Sequence, residues 1–250
     1  MTPTTKTPTS PPTIVLIAGH WLGAWAWEEV LHHLDTDTFH AVAMTLPGLD
    51  RDDPNHATRT LDDQTAAITD LLSGLGVSAD QPAMIVAHSG ANAPVSLVLD
   101  RYPELVHRVV WVDSGPVARG SVFTTDLPTE VTELPLPSFE VLAEQASLEG
   151  LSTEVLDRFR ARAVPQPGPV LRQPVELIND ARRKVPTTLV SCSIPSAQAL
   201  ELAHTGHPLF ADLATIEDLE TINLPTGHWP MWSRPRDLAH IIQTAASHTN

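Results

Sequence analysis

Ser89 sits in the run Ala87-His88-Ser89-Gly90-Ala91, between the apolar, β-rich residues 82–87 and an apolar helical stretch at about 90–101. A serine in such a strand, tight turn and helix is held out at a sheet edge, and small neighbours let a strained backbone pass close to other segments. The run reads as G-x-S-x-G with alanine in place of both glycines. The same residues also fit a helix N-cap, the commonest bland use of serine at such a place. As a nucleophile, Ser89 attacks a carbonyl, and the N–H groups and positive end of the following helix favour the oxyanion that forms. The Gly90 amide is one expected donor. The second is expected from the loop Gly19-His20-Trp21-Leu22-Gly23-Ala24-Trp25, which the first strand delivers to the same edge.

A serine nucleophile needs a base. His228 lies in Pro225-Thr226-Gly227-His228-Trp229-Pro230, just after the last strand-like run, LETINL. Its neutral imidazole, with an unperturbed pKa of about 6.5, accepts the serine proton and returns it to a leaving group. Taken alone it also reads as a loop histidine with satisfied hydrogen bonds. A triad further requires a carboxylate to hold the tautomer of the base and stabilise the imidazolium. Asp113, at the end of RVVWVD, is the best placed, because that neighbouring strand end opens toward the same site. Its alternative role is to cap the turn Asp113-Ser114-Gly115-Pro116.

The elements that must position these groups alternate along the chain. Apolar runs at 13–18, 38–45, 82–87 and 108–113 are interleaved with helical patterns at 25–34, 61–72 and 90–101, the arrangement of βα units in a parallel sheet. Between 117 and 184 the alternation stops. Pro, Leu and Glu dominate there, helices are expected near 138–147, 153–163 and 171–183, and no central strand is evident. Strand signals return at 187–193 and 219–224, and 235–246 reads as a closing amphipathic helix. The expected organisation is a polar, Pro-rich disordered tail (1–12), an α/β core (13–116 and 185–250) and a helical cap (117–184).

Bulk properties narrow the partners. A chain of 250 residues with 42% hydrophobic content has ample core for one main domain. A formal net charge of -15, with no dense Lys/Arg run, disfavours nucleic acid and anionic membranes. The single cysteine, Cys192, forms no internal disulfide. With no apolar signal core in MTPTTKTPTSPPT and no membrane-spanning run, the expected setting is the cytoplasm.

The segments LIAGHWLGAWAW, AHSGA and GHWPMWSRP fall in the order found in the α/β-hydrolase superfamily, and the sequence resembles that family over nearly its whole length. The opening and closing segments look like those of small bacterial esterase-like members and of plant methyl-ester esterases and hydroxynitrile lyases. The resemblance implies a mostly parallel sheet with helices on both faces and a helical cap. It also implies that the His20 amide is the second oxyanion donor. Ala18 stands where the family usually has the histidine of a His-Gly pair. The family's usual acid follows the penultimate strand, and Ser191-Cys192-Ser193-Ile194-Pro195-Ser196-Ala197-Gln198 contains none. Some members place the acid where Asp113 lies.

Trp21, His88, Trp229 and Met231 flank the proposed chemistry and are the candidate substrate contacts, giving a pocket with apolar walls suited to an uncharged small molecule. His204 and His207 have a metal-compatible spacing without a carboxylate or thiolate partner, so no metal is expected. G-x-G-x-x-G is absent after the first strand, which argues against a nicotinamide cofactor, and no other cofactor is expected. The function expected first is hydrolysis of a small ester or lactone through a serine acyl-enzyme. A cofactor-free dioxygenase using His228 and Asp113 as its base, a lyase, and a non-catalytic binding protein are the alternatives. The lyase is disfavoured because Trp229, not lysine, follows His228, and the only lysines are Lys6 and Lys184.

Overall fold

The structure, a computed structural model, describes residues 11–247. Residues 1–10, most of the expected tail, lie outside the described residues, and Pro11 and Pro12 lead directly into the first strand. The chain alternates through β1 (Thr13–Ile17), α1 (Glu28–His33), β2 (His40–Met44), α2 (Leu61–Gly74), β3 (Ala83–His88), α3 (Asn92–Arg101) and β4 (Val106–Val112). Next come β5 (Glu133–Leu134), α4 (Phe139–Ala143), α5 (Thr153–Arg162), β6 (Gln166–Pro167) and α6 (Gly168–Arg172). The chain closes with β7 (Thr187–Ser191), α7 (Ser196–His204), β8 (Leu219–Asn223), α8 (Pro230–Ser233) and α9 (Pro235–Ser247).

Six strands form one sheet in the order β2-β1-β3-β4-β7-β8, with every neighbouring pair parallel. Side chains alternate across a strand, so the apolar run of β1 feeds both faces. Ile14 and Leu16 join Trp27 and Val30 around α1 and Leu238 and Ile242 of α9 in one core layer. Val15 and Ile17 join Ile68 and Leu72 of α2, Val95 and Val98 of α3 and Ala199 of α7 in the other. Helix α2 starts at Thr60, whose hydroxyl accepts from the Asp63 amide while the Asp63 carboxylate accepts from the Thr60 amide. Such a capping box satisfies two otherwise orphaned N–H groups and contributes about 1 kcal/mol. Among the described residues no helix is long and apolar enough to cross a membrane.

β1 leads to β2 on one side, and the chain then crosses back to lay β3 on the other. This reversal makes the carboxyl ends of β1 and β3 a topological switch point, the usual place for a ligand in an open parallel sheet.

Parts of the 117–184 segment reach the loop after β1, at that end. Leu134 in this segment accepts a hydrogen bond from the Trp21 indole (3.0 Å), and the Val164 amide donates to the Trp21 carbonyl (3.0 Å). Arg158 and Arg162 of α5 pair with Glu29 and Glu28 of α1 at 2.6 and 3.1 Å. The helix expected over 171–183 does not form as one element. Helix α6 begins earlier, at Gly168, and ends at Arg172; Gln173 is extended, and a 3-10 turn follows over Asp180–Lys184. Pro174 explains the break, since proline cannot donate to the helix ladder and drives the preceding residue out of the helical region. The segment also contains a small antiparallel pair, β5 with β6, that the sequence pattern did not announce.

Candidate active site

Three strand ends bring the expected groups together. Ser89 follows β3 in a left-handed backbone conformation (φ 51°) and opens a 3-10 turn into α3. Its hydroxyl lies 2.8 Å from Nε2 of His228. On the other side of the imidazole, Nδ1–H donates to Oδ2 of Asp113 at 2.6 Å. Asp113 directly follows β4, also with a left-handed backbone (φ 45°), and its amide donates to the Val190 carbonyl of β7. Trp21, after β1, is the third non-glycine residue of this kind among the described residues (φ 65°). All three stand at the carboxyl edge of the sheet, where turns needed to aim side chains impose the left-handed region.

The Asp113 carboxylate is fully occupied. Oδ1 accepts the amides of Cys192 and Ser193 (2.9 and 2.8 Å), and Oδ2 accepts the Ser193 hydroxyl (2.7 Å) besides His228. Burial, the largest single influence, pushes this carboxyl up in pKa. The hydrogen bond and charge of His228 and the two donations of Ser193 outweigh it and hold Asp113 down at about 2. The same surroundings make Cys192 inert, because burial and the Asp113 charge push its thiol up.

Main-chain packing holds the base loop. The amides of Gly227 and His228 donate to the Glu149 and Ser147 carbonyls at 3.1 and 2.7 Å. A Cβ at Gly227 would lie 2.5 Å from the Glu149 oxygen and 2.6 Å from that of Ser147, so only glycine allows this approach. Gly19 is confined in the same way, its virtual Cβ falling 2.7 Å from Ser89 Cβ and 2.9 Å from the Gly90 nitrogen. The loop after β1 is thereby pressed against the serine turn. The His20 ring covers Gly90 and meets Phe123 edge-on at 4.3 Å between centroids. Burial first and the neighbouring His228 second lower the His20 pKa to about 4, so its ring is neutral at pH 7.

The four expected substrate contacts are placed differently from one another. Trp21 is 8% exposed and anchored through its indole to Leu134. Trp229 packs edge-on against the His228 ring and against Phe159, as part of the core layer. Met231 is fully enclosed in that layer, and His88 is 1% exposed with its Nε2–H given to the His228 carbonyl (2.8 Å). In this structure neither Met231 nor His88 presents surface to an entering molecule. Proximity in sequence to Ser89 and His228 placed them near the chemistry, but the alternation of a buried strand and a core turn points them inward.

Sequence reasoning passed over Ser193 and Phe123. Ser193 carried a usable signal, since it lies two residues after β7 in the stretch where an acid was missing. Phe123 is 59% exposed beside His20, and only folding brings the two together. His204 and His207 are exposed; His204 Nδ1–H donates to the Leu200 carbonyl of its own helix, and the His207 ring packs with Phe210. Among the described residues no cluster of three or more His, Cys, Asp or Glu side chains is arranged to hold a metal ion.

Known proteins share parts of this chain. Putative methylesterase 14, chloroplastic, of Arabidopsis thaliana is 29% identical over 119 residues, covering 45% of this chain and 33% of the relative. Methylesterase 4 of the same plant is 26% identical over 153 residues, covering 60% of this chain and 53% of the relative. The matches thus span only about a third to a half of the relatives' length. An extracellular alpha/beta-hydrolase from a Paenibacillus species superimposes with a TM-score of 0.73 at 18% identity, covering 94% of this chain and 99% of that one, a likeness of fold. The sequence of residues 14–241 matches the profile of the Alpha/beta hydrolase family, and with the parallel sheet and its serine turn this establishes that the chain belongs to that family.

Proposed function

We propose that this protein is an esterase-type hydrolase that cleaves a small uncharged ester or lactone through a serine acyl-enzyme. The observation that carries the reading is the unbroken hydrogen-bonded line from Ser89 Oγ through His228 to Asp113, at 2.8 and 2.6 Å. In this mechanism His228 Nε2 takes the proton as Ser89 attacks the carbonyl carbon, and Asp113 stabilises the imidazolium. The Gly90 and His20 amides are the proposed donors to the oxyanion. His228 then returns the proton to the leaving alkoxide. Water, deprotonated by the same histidine, releases the acid and restores the serine.

The methylesterase names of the relatives support a small alcohol as leaving group. An uncharged substrate is supported by a surroundings of Trp21, Phe123 and a neutral His20. Nucleic acid and anionic membranes are poor partners for a chain of net charge -15. A lone, buried Cys192 suits a cytoplasmic setting.

The test is intact-mass analysis after incubation with a fluorophosphonate, on the native protein, Ser89→Ala and His228→Ala. A single adduct on the native protein, lost in both variants, is expected. A second reading, a cofactor-free dioxygenase in which His228 deprotonates an aromatic hydroxyl, is favoured by the position of Asp113 at the end of β4. It predicts no adduct on folded protein.

A further inference from the structure

His88 ends β3 as the residue before Ser89, yet its side chain serves the base. The His228 carbonyl only accepts, so the 2.8 Å contact fixes the proton of His88 on Nε2. That leaves Nδ1 bare, and among the described residues this buried atom has no hydrogen-bond partner. Burial first, then the positive form of His228, lowers the His88 pKa to about 3, while Asp113 and the His228 carbonyl act the other way and His20 adds to the lowering. The ring is therefore a neutral, single-tautomer donor throughout the neutral range.

Each polar group of His228 then has a partner. Its ring nitrogens meet Asp113 and Ser89, its amide meets the Ser147 carbonyl, and its carbonyl meets His88. Of the two main-chain anchors, only His88 belongs to the serine turn itself. Its ring also packs beside that of His228, with centroids 4.9 Å apart.

We propose that His88 is a positioning residue, a strap that ties the backbone of the base loop to the nucleophile turn and so keeps His228 Nε2 on the Ser89 hydroxyl. Without the strap the loop keeps its amide contacts to residues 147–149 and the packing of Trp229, but the His228 carbonyl loses its partner on the nucleophile side, and the imidazole gains freedom to shift about the Asp113 contact. The strap acts through His228 and touches no substrate. This inference rests on the Ser89–His228 reading of the site, so its test includes a measurement that needs no turnover.

Two variants separate the donor from the bulk: His88→Phe keeps a ring without a donor, and His88→Gln restores an amide donor near the Nε2 position. Three quantities are compared in the full chain: the fluorophosphonate labelling rate, kcat and KM for 4-nitrophenyl acetate, and the downfield proton resonance of His228 Nδ1–H. His88→Phe is expected to lower labelling and kcat by about 10- to 100-fold, the cost of a misplaced catalytic group, with KM within about twofold. It should also broaden the Nδ1–H resonance, and His88→Gln should recover most of each effect. Unchanged labelling and an unchanged resonance in folded His88→Phe overturn the proposal. Failure of both variants to fold overturns it in favour of a purely structural role. If the native protein neither labels nor turns over, the esterase reading falls, and the resonance in His88→Phe and His88→Gln still decides whether His88 positions His228.

Discussion

Ser193 holds Asp113 from two directions at once: its amide donates to Oδ1 at 2.8 Å and its hydroxyl to Oδ2 at 2.7 Å. Oδ2 is also the oxygen that receives His228 Nδ1–H. The turn after β7 therefore cradles a carboxylate that arrives from β4, and the hydroxyl competes directly with the imidazole for one oxygen's lone pairs. Removing the hydroxyl in Ser193→Ala leaves the two amide donations in place but loosens Asp113 and raises its pKa. The expected loss in kcat is about five- to tenfold, equivalent to roughly 1 kcal/mol. Steady-state kinetics at neutral pH measures it, and an unaltered kcat would show that the amides alone fix the carboxylate.

Asp113→Asn removes the negative charge while preserving shape, and it should cut turnover by about 10³- to 10⁴-fold with folding intact. Because the Ser193 hydroxyl already reaches within 2.7 Å of Oδ2, an aspartate at 193 places a carboxylate close to the same spot. The double variant Asp113→Asn/Ser193→Asp is expected to regain at least about tenfold over Asp113→Asn. Equal turnover in the single and double variants would show that the β7 turn cannot present an acid to His228.

Acid should weaken the fold well before the carboxylates titrate. His88 ionises near 6.5 when unfolded and at about 3 when folded. Between those values the unfolded chain binds a proton that the folded chain does not, so stability present above pH 6.5 is lost as pH falls toward 3. The slope is about 1.4 kcal/mol per pH unit for one such histidine. Asp113 acts in the same direction lower down: its contribution is present above 3.8 and is lost as pH falls through about 2. Urea denaturation midpoints from pH 7.5 to 4 should decline in the native protein and decline less steeply in His88→Gln. Parallel slopes would contradict the burial of a neutral His88.

Gly227→Ala tests the approach of the base loop to residues 147–149. A Cβ there falls within 2.7 Å of three backbone atoms, none of which belongs to a flexible side chain. Relief requires one of the two segments to move, and the substitution should destabilise the protein by about 2–4 kcal/mol and displace His228. Thermal melting together with the fluorophosphonate labelling rate reads both effects; a native melting temperature would mean that the loop yields at little cost.

Much of this was legible in the chain because it is local. An apolar run flowing into His88-Ser89-Gly90 gives strand, turn and helix from neighbouring residues, and the sheet order then brings 113 and 228 to the same edge. What the pattern did not show depends mostly on contacts distant in sequence. Met231 and His88 look like pocket residues beside Ser89 and His228, yet packing against α9 and the base loop turns them inward. The 171–183 helix had apolar residues at helical spacing but also Pro174, whose local veto outweighs them. Phe123 reaches His20 from across the fold, and nothing in its neighbours announces that meeting.

The left-handed backbones of Trp21, Ser89 and Asp113 mean that this protein is not at its thermal optimum. At Trp21 and Asp113 the buried indole and the hydrogen-bonded carboxylate outweigh that strain, but at Ser89 glycine would relieve roughly 1 kcal/mol of unfavourable geometry, and Ser89→Gly should melt about 2–4 °C higher than the native chain while losing its hydroxyl. Any engineering campaign that ranks variants by heat resistance alone will be drawn to Ser89, and the hardier molecule it returns there is one stripped of its chemistry.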